Sequence, residues 1–102
     1  MLPELTLPAV WSEDDAPARP GRVELRGKRL RLVGGSREAE QSRELELSEI
    51  ASTRVGRTAA DRIGGRPTLV LELRRGGSIR IAGFARLGAL GELTERLLAA
   101  TT

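Results

Sequence analysis

The chain has no cysteine, no histidine and no tyrosine among its 102 residues. Without cysteine there is neither a disulfide framework nor a thiolate metal site. The usual base and nucleophile pairings of an enzyme are missing as well, because catalysis at neutral pH needs a group poised near 7 or an activated nucleophile. Aromatic residues are down to Trp11 and Phe84. That leaves Leu, Val and Ile to fill the core, and it removes the stacking platforms that single-strand nucleic-acid binders use. Lysine occurs once, at Lys28, against sixteen arginines. No apolar run approaches the roughly 20 residues that span a bilayer, and no basic stretch followed by an apolar one marks a signal peptide. These absences predict a cytoplasmic, non-catalytic protein with no cofactor and no metal, for which nucleic acid is not an expected partner.

What is present is aliphatic and charged: 39% hydrophobic residues and 30% charged ones, with a net charge of +3. A chain of this length suits one domain. A surplus of +3 is weakly cationic, consistent with anionic partners without pointing to one. Glu13-Asp14-Asp15 offers oxygen donors but lacks the spacing of a calcium loop. Gly34-Gly35-Ser36 and Gly64-Gly65-Arg66 read as turns, since no phosphate-loop motif surrounds them.

Apolar residues recur at every second position through most of the chain, the period of half-buried strands. Leu5, Leu7, Ala9 and Trp11 make one such run, which Pro3 and Pro8 confine to a sheet edge because proline has no amide hydrogen to give a ladder. Residues 1–20 are therefore read as an extension, an edge strand followed by an acidic, proline-bearing loop, ahead of a domain over 21–102. Gly21–Gly34 is a hairpin turning at Gly27-Lys28, where glycine in the first central position suits a type II′ turn. That register sets Leu25 opposite Leu30, Val23 opposite Leu32 and Glu24 opposite Arg31, and leaves the like charges Arg26 and Arg29 facing at the tip. Leu45 and Leu47 give a third strand, Ser48-Glu49 a bend or bulge, and Thr53 with Val55 a fourth strand. Gly56–Pro67 is a loop or a weak strand through Arg62-Ile63. A second hairpin turns at Arg75-Gly76-Gly77 with Gly77 left-handed, placing Leu73 opposite Ile79 and Leu71 opposite Ile81. Leu87, Leu90, Leu93, Leu97 and Leu98 then switch to helical spacing over Arg86–Ala100, with Phe84 as a core anchor and Trp11 as a core plug.

Three stretches carry a resemblance. Gly21-Arg22-Val23-Glu24-Leu25 with Leu30-Arg31-Leu32, then Leu45-Glu46-Leu47-Ser48-Glu49-Ile50, then Leu71 through Phe84, are together similar to small bacterial pleckstrin-homology-like (PH-like) domains. The resemblance covers Gly21–Leu98 and leaves the first 20 residues unexplained. It implies a mainly β fold, a bent and partly open antiparallel barrel of six or seven strands capped by the C-terminal amphipathic helix. Its plug would be Leu87, Leu90, Leu93 and Leu97. Phosphoinositide-binding members carry basic residues around their first hairpin loop, which the resemblance maps to Arg26, Lys28, Arg29 and Arg31. Others bind peptides along a strand edge or a helix groove, or act in assembly.

Two basic clusters stand out on the residues themselves: Arg26, Lys28 and Arg29 at the hairpin tip, and the loop carrying Arg54, Arg57, Arg62 and Arg66. The expected function is a binding or scaffolding module that docks a protein partner or a second copy of itself. The alternative is attachment to an anionic membrane surface through Arg26, Lys28, Arg29, Arg54 and Arg57.

Overall fold

The computed structural model describes residues 4–14, 16–35, 40–83 and 87–101, the last stretch without the side chains of 87–90, 100 and 101. Phe84, Leu87 and Leu90, expected in the core, thus have side chains outside the described residues. Seven antiparallel strands form one curled half-barrel, followed by a C-terminal helix: β1 (Leu5–Glu13), β2 (Arg19–Arg26), β3 (Arg29–Gly34), β4 (Gln41–Glu46), β5 (Ile50–Val55), β6 (Thr68–Leu73), β7 (Ser78–Gly83) and α1 (Leu87–Thr101). The strand order is β4-β3-β2-β1-β7-β6-β5.

That order corrects the expectation for the N-terminal run. β1 is the middle strand, not an edge. Its first half pairs with β2 alone, its last residues with β7 alone, and only Ala9, Val10 and Trp11 have neighbours on both sides within the ladders. Pro8 is tolerated because it sits opposite Arg22 of β2, one residue before the β7 ladder begins at Ala9. The proline rule holds locally, at a position where the strand has a single partner.

The curl brings distant strands together over one core. Leu7, Ala9, Val23, Leu30, Leu32, Leu45, Leu69, Leu71, Ile79 and Ile81 all face the concave side, each at most 3% exposed. Burying one such side chain is worth about 1.5–3 kcal/mol. Trp11 joins them and donates its indole Nε1–H to the carbonyl of Val33 at 3.0 Å. Two glycines make room for this contact. A Cβ on Gly34 would lie 2.9 Å from the indole nitrogen, and one on Gly21, paired with Gly34, would lie 1.8 Å from the Val33 oxygen. Glycine inside a strand marks such close backbone approach. At the rim above the indole, Glu13 of β1 and Arg43 of β4 meet at 3.0 Å, although two strands separate theirs in the sheet.

The β2–β3 hairpin has the expected register, Leu25 opposite Leu30, Val23 opposite Leu32, Glu24 opposite Arg31 and Arg26 opposite Arg29. Gly27 has φ +56° while Lys28 stays at negative φ, the type II′ pattern. After β4 the bend at Ser48-Glu49 is one 3-10 turn, Leu47–Glu49. Glu49 caps it by accepting the Glu46 amide at 2.8 Å. The turn knits two hairpin tips together: Leu47 N–H donates to Lys28 O at 2.8 Å, and Arg74 N–H to Glu49 O at 2.9 Å.

The β6–β7 hairpin differs from expectation by a two-residue shift. Leu71, not Leu73, pairs with Ile79, and Leu69 pairs with Ile81. The loop is three residues long as expected but is Arg74-Arg75-Gly76; Gly77 is left-handed as expected, at φ +87°, Gly76 is left-handed as well, at φ +96°, and Gly76 N–H closes on Leu73 O at 3.1 Å. A shift of two keeps every apolar residue on its face, so alternation alone has no power to choose. The choice is made by Arg74, whose backbone amide and Nε both go to the 3-10 turn, outside the ladder.

Gly56–Pro67 contains no strand, which corrects the weak strand through Arg62-Ile63. The segment folds back over the convex face of β6 and β7. Ile63 N–H donates to the buried Thr68 hydroxyl at 2.9 Å, that hydroxyl donates to Arg66 O at 2.8 Å, and Arg80 Nη1 donates to Ala60 O at 2.9 Å. Val70 and Ala82, buried although they alternate with core positions, are accounted for by this cover. On the concave side α1 packs against β5, β7 and the 3-10 turn, burying Leu93 and Leu97 while Leu98 stays exposed. Among the described residues no helix is long and apolar enough to cross a membrane.

Replacing Gly34 by Ala is expected to push the indole off the Val33 carbonyl. The lost hydrogen bond and the overpacking together cost about 2–4 kcal/mol. Urea denaturation measures the loss, and the emission of Trp11, the one tryptophan in the chain, reports the altered seat.

Candidate functional site

The two basic clusters are built into different parts of the half-barrel. Arg26, Lys28 and Arg29 sit at the β2–β3 tip, bonded through Lys28 to the 3-10 turn that precedes β5. Arg54 and Arg57 lie at the far end of β5 and just beyond it, and four residues of extended strand separate Ile50 from Arg54 by about 13 Å. The structure does not bring these five residues into one patch. The β2–β3 tip is also not the first hairpin of the fold. That is β1–β2, between Glu13 and Arg19, whose connection starts at Asp14, so the basic residues mapped by resemblance fall on the second hairpin.

Most of the cations are already engaged. Arg26 reaches Glu24 at 3.5 Å and Glu4 at 3.7 Å, while Arg29 leans the other way to Glu44 at 3.5 Å. This is how the like charges at the tip coexist. Arg22 at 3.5 Å and Arg31 at 4.0 Å complete a ring around the buried Glu24, whose Oε1 has charge neighbours but no hydrogen-bond partner. Exposed pairs of this kind contribute about 0–1 kcal/mol each. Of the five residues Arg26, Lys28, Arg29, Arg54 and Arg57, Lys28 and Arg57 have no ion pair among the described residues.

Arg54 is the most tightly held. Its guanidinium donates to both oxygens of Asp61, at 2.8 and 3.2 Å, and to Glu72 at 3.3 Å. The hydrogen bond from Arg54 holds the Asp61 carboxyl down at about 2, against a partial desolvation that pulls the other way, and the same bond raises the Arg54 pKa. These two side chains, with Asp14, Glu72, Ser78 and Arg80, line a cleft of about 400 Å³ on the convex face. A second cleft of about 320 Å³ lies over Trp11 at the rim, with Glu13, Pro17, Arg19 and Arg43 among its lining. Among the described residues no group of three or more carboxylates is placed to hold a metal ion.

The remaining feature is the unclosed sheet itself. Its outer strands, β4 and β5, have one neighbour each. β4 alternates Arg43, Glu44 and Glu46 along its free side, the kind of charging that keeps an edge from pairing. β5 does not. Ala51, Ser52, Thr53 and Val55 are uncharged, and Val55 is 52% exposed even though its ladder partner Leu69 is fully buried. Val55 faces the concave side and is bare because no strand lies beyond it. The direction of the free backbone groups follows from one bond. Gly56 N–H donates to Thr68 O at 2.7 Å, and antiparallel pairing alternates, so Arg54 points its amide at β6 while Thr53 and Val55 point theirs outward.

Sequence reading missed this edge, because alternation shows which face of a strand is buried and not which strand lacks a neighbour. The signal it had was Val55, a β-branched residue standing among polar neighbours in a short run. It also missed Arg74, whose partners lie on the 3-10 turn, 25 and 26 positions earlier in the chain. No protein-family model matches the chain, and no curated protein is similar enough to count as a relative.

Asp61 yields a pH prediction. Its folded-state pKa, about 2, lies below the unfolded value of about 3.9. Its contribution to stability is therefore complete above pH 4 and is lost as pH falls from about 4 toward 2. Asp61→Asn is expected to lower the melting temperature at pH 7 and to match the wild type near pH 2, as followed by circular dichroism melts across that range.

Proposed function

We propose that this chain is a non-catalytic binding module of PH-like type that docks a protein segment by strand addition along the free edge of β5. The observation that carries the reading is the combination at β5: outward amide and carbonyl groups at Thr53 and Val55, no charged residue among Ala51, Ser52 and Thr53, and a bare Val55 on the concave side. An extended segment laid along that edge gains main-chain hydrogen bonds for affinity, and side-chain contacts on alternate residues for selectivity. The PH-like assignment is supported by seven antiparallel strands followed by one helix. Fold likeness carries no activity with it, so the function rests on the edge.

The anionic-membrane alternative draws less support. Of its five residues, Arg26, Arg29 and Arg54 spend their charge on Glu4, Glu24, Glu44, Asp61 and Glu72, and the two clusters stand at opposite ends of β5.

Val55→Pro deletes an outward N–H at a position where an edge strand accommodates proline. Peptides selected from a random display library on the wild-type chain are expected to lose binding to this variant, while its melting temperature stays within a few degrees. Peptides that bind both forms equally, or a library that yields no binder to a chain that sediments as a monomer, would overturn the reading.

A further inference from the structure

The docking edge of β5 fixes what a partner strand must offer, and β5 itself offers it. A second copy approaching antiparallel must form its hydrogen-bonded pairs between residues whose backbone groups are not taken up by β6, namely Thr53, Val55 and Ala51, the residue that the β5–β6 ladder skips. Two symmetric registers that use both Thr53 and Val55 satisfy this. One puts Arg54 opposite Arg54 of the second copy, in the closer, non-hydrogen-bonded arrangement, where like charges destabilise the pair. The other puts Thr53 opposite its own counterpart. Arg54 then lies across from Ser52 of the second copy, and Val55 across from Ala51. That register separates the two guanidinium groups, each of which stays with Asp61 and Glu72 of its own chain. It also covers the most exposed large apolar side chain described.

The flanking structure sets the length of the pairing. The β5–β6 register skips between Ile50 and Ser52, leaving Ala51 as the extra residue, and a bulge bends an edge and ends its pairing. At the other end Gly56 turns into the segment that crosses the convex face. The usable edge is therefore Ala51 to Val55. β4 does not compete, since its alternating charges gate it.

We infer that the chain forms a symmetric dimer through antiparallel pairing of β5 with β5 of a second copy, centred on Thr53. A two-fold axis through Thr53 makes the contact self-complementary and closed, so it stops at two copies. The two seven-stranded sheets become one continuous sheet. This rests on the reading of β5 as the docking edge and adds to it the identity of the occupant.

The absence of cysteine makes the register directly testable. Opposed Cα atoms of a hydrogen-bonded antiparallel pair lie about 5.5 Å apart, within disulfide reach. Three single-cysteine variants are compared under mild oxidation: Thr53→Cys, Arg54→Cys and Ser42→Cys on the β4 edge. Thr53→Cys is expected to give a covalent dimer while the other two stay monomeric. Sedimentation of the reduced Thr53→Cys chain should show the same reversible dimer as the wild type, which confirms that the variant folds. Faster crosslinking of Arg54→Cys than of Thr53→Cys would overturn the register. A wild type that sediments as a monomer while library peptides still bind β5 would overturn the dimer and leave the docking edge standing. A monomer that binds no peptide would overturn both.

Discussion

Ala9, Val10 and Trp11 are where β1 has ladder partners on both sides, so the β2–β3–β4 arm and the β7–β6–β5 arm meet only there within the sheet. Everything else that makes a half-barrel depends on this overlap being short and bent. The indole of Trp11 reaches across β2 to the Val33 carbonyl, which the Gly21 and Gly34 backbones permit by carrying no side chain. The ion pair of Glu13 with Arg43 ties the rim of the same curve. A longer overlap would favour a flatter sheet, and a flatter sheet would leave no concave side for Leu93 and Leu97 to fill.

The electrostatics work against the first impression given by sixteen arginines. On the convex face of the first arm, Arg22, Arg26, Arg29 and Arg31 interleave with Glu4, Glu24, Glu40 and Glu44. On the second arm, Arg54 is shared between Asp61 and Glu72. Arginine suits this role because its planar fork serves two carboxylates at once. On both arms these arginines face carboxylates of their own chain, and attention shifts from the charge of the molecule to its unpaired backbone.

How much of this was legible in the sequence follows from what each signal encodes. The β2–β3 hairpin was read residue for residue because glycine at a turn, apolar pairs and an opposite-charge pair all agreed on one register. The β6–β7 hairpin had the right faces and the wrong partners, since alternation has period two and cannot sense a two-residue shift. The deciding groups, Glu49 and Ser48, come from another part of the chain. Proline at position 8 reports on one position with a single partner and not on the whole strand, which is why the sequence suggests an edge where β1 is central. The basic residues at 26, 28, 29, 54 and 57 were found correctly as cations, but their partners and their separation are properties of the folded register. The β5 edge was invisible, because a missing neighbour leaves no trace in the strand that lacks it.

The central position of an N-terminal strand also dictates the order in which the chain becomes a protein. Ser12 of β1 pairs with Arg80 of β7, 68 positions away. Synthesis from the N-terminus delivers β1 to β6 before the strand that completes the β1 ladder exists. The concave face of β1 must therefore wait, bare and with one neighbour, through most of translation. Chains whose key contacts are this distant in sequence fold slowly for their size, and a waiting apolar strand is exposed to wrong pairings. Pro8 and the acidic residues that follow Trp11 are well placed for that interval, since they interrupt the one stretch that would otherwise offer a long, uncharged edge to passing chains.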